Sequence, residues 1–351
     1  MRQGLGRGRG KGYYNIVHLD SYIHSLSAKG IATYPVNLPI RERNVTFSDG
    51  TTRQIPFITE PMRPIATLEI PMGNDWVAEL KKDGSLSLAY FVNGNVAFIN
   101  RRGNEKTFVY PELTDQEPKD IKIKGMTVLQ GEITTAGGTL DSFQDLLKRD
   151  LVQSSRKARD RMNLYPLKFY VFDILMKDGE WVTDEPLEKR HDMIEKLITS
   201  NLKDYEVAEQ SDKTREFTEE HLKEKGKYEG VVFKRKDSPY ISGKTPYWYK
   251  KKFVTQADTV VLGYERGKGR RSEIGKINVG IRNPKTGKVE EVARVGTGFT
   301  DAQLSDAKRR IDRGEKLFAT IEYLNKTRDG NLRNPSWVGI RSDIGLADTH
   351  Y

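Results

Sequence analysis

The texture of the chain changes near Phe253, and that change limits the folds open to it. Beyond this point come five short apolar runs, TVVLGYE, KINVGI, VARVGTG, LFATIEYL and WVGI, separated by turns of Gly, Asn and Pro, with one helical stretch near Asp301–Asp312. Short strands at such regular spacing predict a small β-barrel over residues 254–351. Ahead of Phe253, strands and helices mix, which predicts an α+β domain built on mixed sheets.

Within that first part, WVAELK alternates, Asp83-Gly84 marks a turn, and LSLAYFV and VAFINR flank the hairpin signal Asn93-Gly94. Ser48-Asp49-Gly50 reads as another polar turn, and Pro56, Pro61, Pro64 and Pro71 lead into the strands. A helix is expected from about Asp141 to Arg161, capped by Asp141 or Ser142 and basic late in its length. LKFYVFDIL reads as a buried strand and PLEKRHDMIEKLI as a helix opened by proline; a charged helix around Phe217–Lys225 then precedes the strand GVVFK. The first dozen residues hold Arg2, Arg7, Arg9 and Lys11 among alternating glycines, the pattern of a flexible basic tail, and a helical stretch is expected near Leu19–Ala28. The expected organisation is an N-terminal extension over 1–60, a mixed α+β domain over 61–253 and the barrel over 254–351.

Composition excludes several classes of function. There is no cysteine, so disulfides, thiolate zinc sites, iron–sulfur clusters and a cysteine nucleophile are out. The five histidines (His18, His24, His191, His221 and His350) show no metal-ligand spacing on a helix face. No window approaches the roughly 18 consecutive apolar residues of a membrane span. The start, MRQGLGRGRGKGYY, lacks the apolar run of a secretory signal. These features predict a soluble, intracellular chain without membrane contact, and a cytoplasmic monomer is expected. Lys and Arg number 59 against 49 Asp and Glu, a net charge of +10, which points to a polyanionic partner and first of all to nucleic acid.

The chemistry is concentrated in ELKKDG, Glu79–Gly84. A lysine at the end of a strand can point into a pocket, and a glycine in the following turn lets backbone approach a ligand closely. Alone, K-x-D-G is a common charged corner. Here it is followed, in order, by INRRGNE (Ile99–Glu105), LQGEI (Leu129–Ile133), FYVFDIL (Phe169–Leu175), YEGVVFKR (Tyr228–Arg235), YWYKKK (Tyr247–Lys252) and LRNPSWVGIRSD (Leu332–Asp343). A lysine with its ordinary pKa near 10.4 is a poor nucleophile at neutral pH. The cations Lys82, Lys250 and Lys252 are expected to disfavour its charged form. Hard carboxylates suit magnesium held against phosphates, and cations suit a phosphate clamp. By alternation Lys250 and Lys252 share a strand face, whereas Lys82 points away from that of Lys81.

This ordered series, over about residues 60–351, resembles the covalent nucleotidyltransferases and specifically the ATP-dependent DNA ligases. The stretch Lys276–Leu304 is similar to the ligase barrel rather than to that of capping enzymes. The resemblance implies an adenylation domain of mixed and antiparallel sheets with helices, followed by an OB-fold. It implies ATP with magnesium or manganese, a lysyl-AMP intermediate, a DNA-adenylate, and nicked duplex DNA as the partner. It implies Lys81 as the nucleophile, Glu132 at the ribose or a metal, and Glu229 near the metal and α-phosphate. Lys234, Lys250 and Lys252 match the family's clamping cations, and Arg101 its arginine near the ribose and the DNA 5′-phosphate. Phe172 matches the aromatic stacked on adenine, and Glu79 the position reading the adenine edge. The barrel is expected to pivot near Phe253–Asp258, with Arg266, Lys268, Arg270 and Arg271 on its loops contacting phosphate.

Three positions depart from the family pattern: Leu86 stands for an arginine, Gln130 for an acid and Ile344 for a terminal lysine. Nucleotide capture is therefore expected to lean on Arg341 or Arg333. Taken singly, the residues also suit plainer roles: Phe172 and Trp248 in a core, Asp173 as a structural hydrogen-bonding group, Glu132 and Glu229 as surface acids, Lys244 as a loop lysine. The rival readings are an RNA ligase or GTP-using capping enzyme, and a non-catalytic OB-fold protein that binds nucleic acid.

Overall fold

Strand alternation gives each sheet two faces, and the largest sheet of this chain buries both against other layers. The computed structural model describes residues 35, 38–115, 123, 125–135, 137–198 and 202–350. The expected basic tail and the helical stretch near Leu19–Ala28 lie outside them. The polar turn at Ser48-Asp49-Gly50 joins β1 (Ile40–Thr46) to β2 (Thr52–Ile58) as an antiparallel hairpin. Two strands follow, β3 (Arg63–Ala66) and β4 (Trp76–Lys81), and then β5 (Ser85–Val92), β6 (Asn95–Asn100), β7 (Thr127–Thr135), β8 (Leu167–Lys177), β9 (Glu180–Trp181) and β10 (Tyr205–Val207). β11 (Gly230–Arg235) and β12 (Lys244–Lys252) complete the first part of the chain.

These strands form two larger sheets. One has the order β10-β8-β7-β5-β6, with β9 attached to β8; the other has the order β3-β12-β11-β4. Asp83-Gly84 therefore does not close a hairpin. β4 pairs with β11 while β5 pairs with β6 and β7, so the chain crosses from one sheet to the other at this corner.

On the six-stranded sheet, Ala89, Phe91, Leu129, Ile133, Phe169 and Val171 pack with Leu146 and Ile194 of the covering helices. Leu88, Tyr90, Val128 and Leu175, on the opposite face, pack against Val45, Phe47, Ile55 and Phe57 of the β1–β2 hairpin. The hairpin thus braces the sheet. The helix Leu187–Leu197 is fastened to the six-stranded sheet by Arg190, whose Nε donates to Asp173 Oδ1 (2.7 Å) and Nη2 to Oδ2 (3.1 Å), both side chains fully buried. Asp173 is thereby spent on structure.

Six α-helices occur among the described residues, and the one expected over 141–161 is two. Phe143–Asp150 ends, and Ser154 caps a second helix, Ser155–Met162, by accepting from the Lys157 amide. A serine free to cap in extended backbone competes with helix continuation, which explains the break. Among the described residues no helix is long and apolar enough to cross a membrane.

From Thr255 onward the chain forms a separate sheet of β13 (Thr255–Glu265), β14 (Lys276–Arg282), β15 (Val289–Val295), β16 (Phe318–Tyr323) and β17 (Ser336–Arg341), ordered β15-β14-β13-β16-β17. Its helix, Asp301–Asp312, opens with a capping box of Thr300 and Gln303. The sheet curls round a core of Ile277, Val279, Val295, Leu304, Ile321 and Trp337. The barrel expected from strand spacing is left open at one edge, because β15 and β17 share no ladder. Isolated bonds span that edge instead, among them Leu332 N to Val292 O (2.7 Å) and Trp337 N to Thr297 O (2.9 Å). The result is the partly open, five-stranded OB arrangement.

Candidate active site

Register alone builds one wall of the site. Across β4, β11 and β12, Val77 pairs with Lys234 and Lys234 with Trp248; Glu79 with Val232 and Val232 with Lys250; Lys81 with Gly230 and Gly230 with Lys252. A step of two residues keeps a strand on one face, so these three rows form a grid on a single side of the sheet. The other side carries Ala78, Val231 and Phe233, sealed by Phe217 of the helix Thr214–Leu222. The charged grid is thus left facing the six-stranded sheet. Gly230 has φ +152°, and a Cβ there would lie 2.1 Å from the Lys251 carbonyl oxygen, so a glycine is needed where Glu229 turns into the row.

The facing wall comes from β5, β7 and β8, where Leu86 pairs with Glu132 and Glu132 with Tyr170. Gly131 pairs with Val171 but Gln130 with Asp173, so Phe172 is the extra residue of a β-bulge. A bulge re-aims its side chain, and Phe172 turns its ring to the Lys234 ammonium, 4.6 Å from the ring centre. Gly84 lets the crossing chain pass: a Cβ would fall 2.2 Å from Ile133 O and 2.7 Å from Glu132 Cγ.

Between the walls lies a pocket of about 200 Å³ lined by Glu79, Lys81, Arg101, Glu132, Phe172, Lys234 and Lys250, with Met62, Arg63, Leu86, Tyr170 and Trp248 among its other residues. Its two ends differ in character. At one, Lys81 Nζ donates to Glu229 Oε2 and Lys252 Nζ lies 3.0 Å from Oε1. At the other, Lys234 Nζ lies 2.6 Å from Glu79 Oε2 and donates to the Phe172 carbonyl (3.2 Å). Lys234 therefore stands apart from Lys250 and Lys252, at the aromatic end of the pocket.

Electrostatics follow from burial and pairing. Burial alone would lower the Lys81 pKa, but Glu229, Glu132 and Asp83 outweigh it and hold the ammonium above the usual lysine range. This reverses the expectation that neighbouring lysines depress Lys81: the group in contact with it is a carboxylate. Burial likewise pushes Glu229 up, yet Lys81 and Lys252 more than offset it and keep the carboxyl below its usual range. Glu132 is pushed up to about 8 by burial, with Glu229 and Asp83 adding to the rise and Lys81 opposing it. Lys250 is lowered by burial and then by the charges of Lys81 and Lys252. Among the described residues no three His, Cys, Asp or Glu side chains cluster as a self-sufficient metal site. Magnesium commonly takes one or two carboxylates and completes its shell with phosphates and water, which fits Glu132 and Glu229 beside Lys81.

Arg341, expected at the nucleotide, lies outside this pocket. It pairs with Asp343 (2.7 Å) on the far sheet and is also 3.5 Å from Asp258. Arg333 is the arginine that reaches the lysine motif: its Nη1 and Nη2 both donate to Asp83, the latter at 2.9 Å, while its guanidinium lies 4.0 Å above Phe143. Lys82 turns away and donates to Gly137 O (2.7 Å). Gln130 is buried and accepts from the Tyr240 hydroxyl, so it sits in the core rather than in the pocket. Leu86 supplies apolar wall beside Glu132. Gln210 went unnoticed in the sequence; its Nε2 donates to Glu79 Oε1 (2.8 Å), and nothing in the surrounding AEQS pattern distinguishes it.

Comparison with known proteins agrees with this arrangement. Residues 56–252, more than half of the chain, match the family model described as the ATP dependent DNA ligase domain. A DNA ligase of Thermococcus onnurineus is 29% identical over 84% of this chain and 58% of its own length. A DNA ligase of Archaeoglobus fulgidus is 32% identical over 77% of this chain and 53% of its own. The chain thus spans little more than half the length of these relatives. A solved structure described as Pmar-Lig_Pre shares the fold with TM-score 0.65 at 21% identity, covering 81% of this chain and 68% of that one. With two sheets closing on a lysine-bearing pocket and the family model running through both, the chain belongs to the ATP-dependent DNA ligase family.

Proposed function

We propose that this protein seals 3′-hydroxyl/5′-phosphate nicks in duplex DNA, using ATP and passing through an adenylate on Lys81. The observation that carries the reading is that Lys81 and Lys252, in one row with Gly230, both pair with Glu229, so that a lysine amine, a carboxylate and a second lysine meet where Lys81 enters a pocket with an aromatic far end. In the first step Lys81 Nζ attacks the α-phosphorus; the N–P bond forms, the bond to the bridging oxygen breaks, and pyrophosphate leaves. The amine must first shed a proton. Lys252 already neutralises the second oxygen of Glu229, so Glu229 is not stranded as an uncompensated charge when Lys81 becomes neutral.

Lys250 and Lys252 supply positive charge to the phosphates, and the aromatic end takes the base against Phe172. Magnesium or manganese would be held by Glu132 and Glu229 and would supply Lewis-acid neutralisation of phosphate charge. AMP then passes to the 5′-phosphate at the nick, breaking the N–P bond and restoring the lysine, and the 3′-hydroxyl displaces it. Residues 61–253 would serve as the adenylating unit and 254–351 as the unit that closes on nucleotide and then on DNA.

Incubation with α-labelled ATP and magnesium, followed by a nicked duplex, tests the reading. The native chain should gain one adenylate, lose it to DNA, and yield sealed product. Lys81→Ala should capture none while keeping its melting temperature. Label on another residue, capture of GTP in preference to ATP, or joining of RNA but not DNA nicks would overturn it.

A further inference from the structure

We infer that Gln210 is a positioning residue for purine selection, holding the Glu79 carboxylate in the orientation that accepts from an exocyclic amine. The inference rests on the reading of the pocket as an ATP site. The segment carrying Gln210 joins the two sheets. β10 runs parallel to β8, Ala208 N donates to Val171 O (2.8 Å), and Ser211 exchanges two backbone hydrogen bonds with Ala78 of β4 (2.9 and 3.0 Å). Gln210 sits between those two anchorages, its own backbone tied to both walls of the pocket through its neighbours. Its Nε2 donates to Glu79 Oε1 at 2.8 Å, while Lys234 occupies Oε2 at 2.6 Å.

That division leaves each partner one capacity to spare. A carboxylate oxygen accepts more than one hydrogen bond, and an ammonium has three donors, of which Lys234 uses two on Glu79 and Phe172 O. The pocket's base end therefore offers an acceptor and a donor side by side. Adenine presents the complement, an N6 amine beside the N1 acceptor. Guanine presents the reverse, an O6 acceptor beside N1–H, and would set like against like. Without Gln210 both Glu79 oxygens are free to turn onto Lys234, and the acceptor no longer faces the base.

The test compares native protein with Gln210→Met, similar in volume, and with Gln210→Glu, which replaces the donor by a like charge. Initial rates of covalent capture are measured with ATP, GTP and the triphosphate of purine riboside, which lacks the 6-amino group. The native protein should prefer ATP over both. Each variant should raise KM for ATP about tenfold, the loss expected for one hydrogen bond, with kcat within about twofold. Its preference for ATP over the purine analogue should shrink by a similar factor, a change that a merely structural role would not produce. Variants that keep the native preference would overturn the role of Gln210 while leaving the ATP site intact. A native protein that captures no nucleotide would instead remove the reading beneath it.

Discussion

On β4, Glu79 and Lys81 stand one row apart, and each meets an opposite charge on the neighbouring strands. The Glu79–Lys234 pair is closed to solvent: its side chains are 4% and 2% exposed, and Gln210 holds the carboxylate while the Phe172 carbonyl holds the ammonium. The Lys81–Glu229–Lys252 group is open, with the two lysines 22% and 34% exposed and one cation in excess of the carboxylate. The same residue types on the same sheet face thus form a fixed recognition element in one row and an under-neutralised, accessible amine in the next. Burial and the count of partners separate them. The first pair is held rigid by burial and by a partner on each member, and the second is left with charge for a phosphate to meet.

The contrast breaks most sharply through stability. Glu79→Ala strands a buried lysine and should cost about 3–5 kcal/mol in chemical denaturation, whereas Glu229→Ala at the open end should cost about 1 kcal/mol. Replacing both members of the closed pair, Glu79→Leu with Lys234→Met, should recover most of the loss without recovering nucleotide binding. Equal costs for the two single variants would erase the distinction.

Next in size is the pH dependence of nucleotide capture. The Lys81 ammonium is held above its ordinary range, so the reactive amine is the minor species at neutral pH and grows tenfold per unit. Single-turnover capture should therefore rise about a hundredfold between pH 6.5 and 8.5. Glu229→Gln removes the largest charge holding the ammonium up and should bring the plateau to lower pH. A profile flat from pH 6.5 in the native protein would show that Lys81 is already neutral.

The smallest effect concerns Glu132. Its carboxyl titrates at about 8 in the fold against 4.5 when unfolded, so the folded state binds the extra proton between those values. The resulting penalty on folding is absent below about pH 4.5, grows as pH rises and is complete above about pH 8. Glu132→Gln should accordingly leave stability unchanged near pH 4.5 and raise it by roughly 2 kcal/mol near pH 8, less than the full shift implies because the cleft admits water. Denaturation midpoints at the two pH values check this, and a gain at acid pH would contradict it.

Much of this was legible in the residues. The alternation in WVAELK, GVVFK and YWYKKK determined that Glu79 and Lys81, Lys234, and Lys250 and Lys252 would each lie on one face of a strand, because a period of two is a property of extended backbone alone. The turn signals and helix starts marked most elements, and the helix expected near Asp301–Asp312 stands there. Strand partnership was not legible. Asp83-Gly84 looks like a hairpin turn from its neighbours, yet it divides two sheets, since β11, arriving some 150 residues later, supplies the partner of β4 and β12 extends that sheet beyond it. The open edge between β15 and β17, the bulge that turns Phe172 toward Lys234, and the meeting of Arg333 with Asp83 have the same origin. So does the role of Gln210. Local sequence sets which way a side chain faces along its own strand; which side chain it then meets depends on long-range pairing and burial, and these also set its charge.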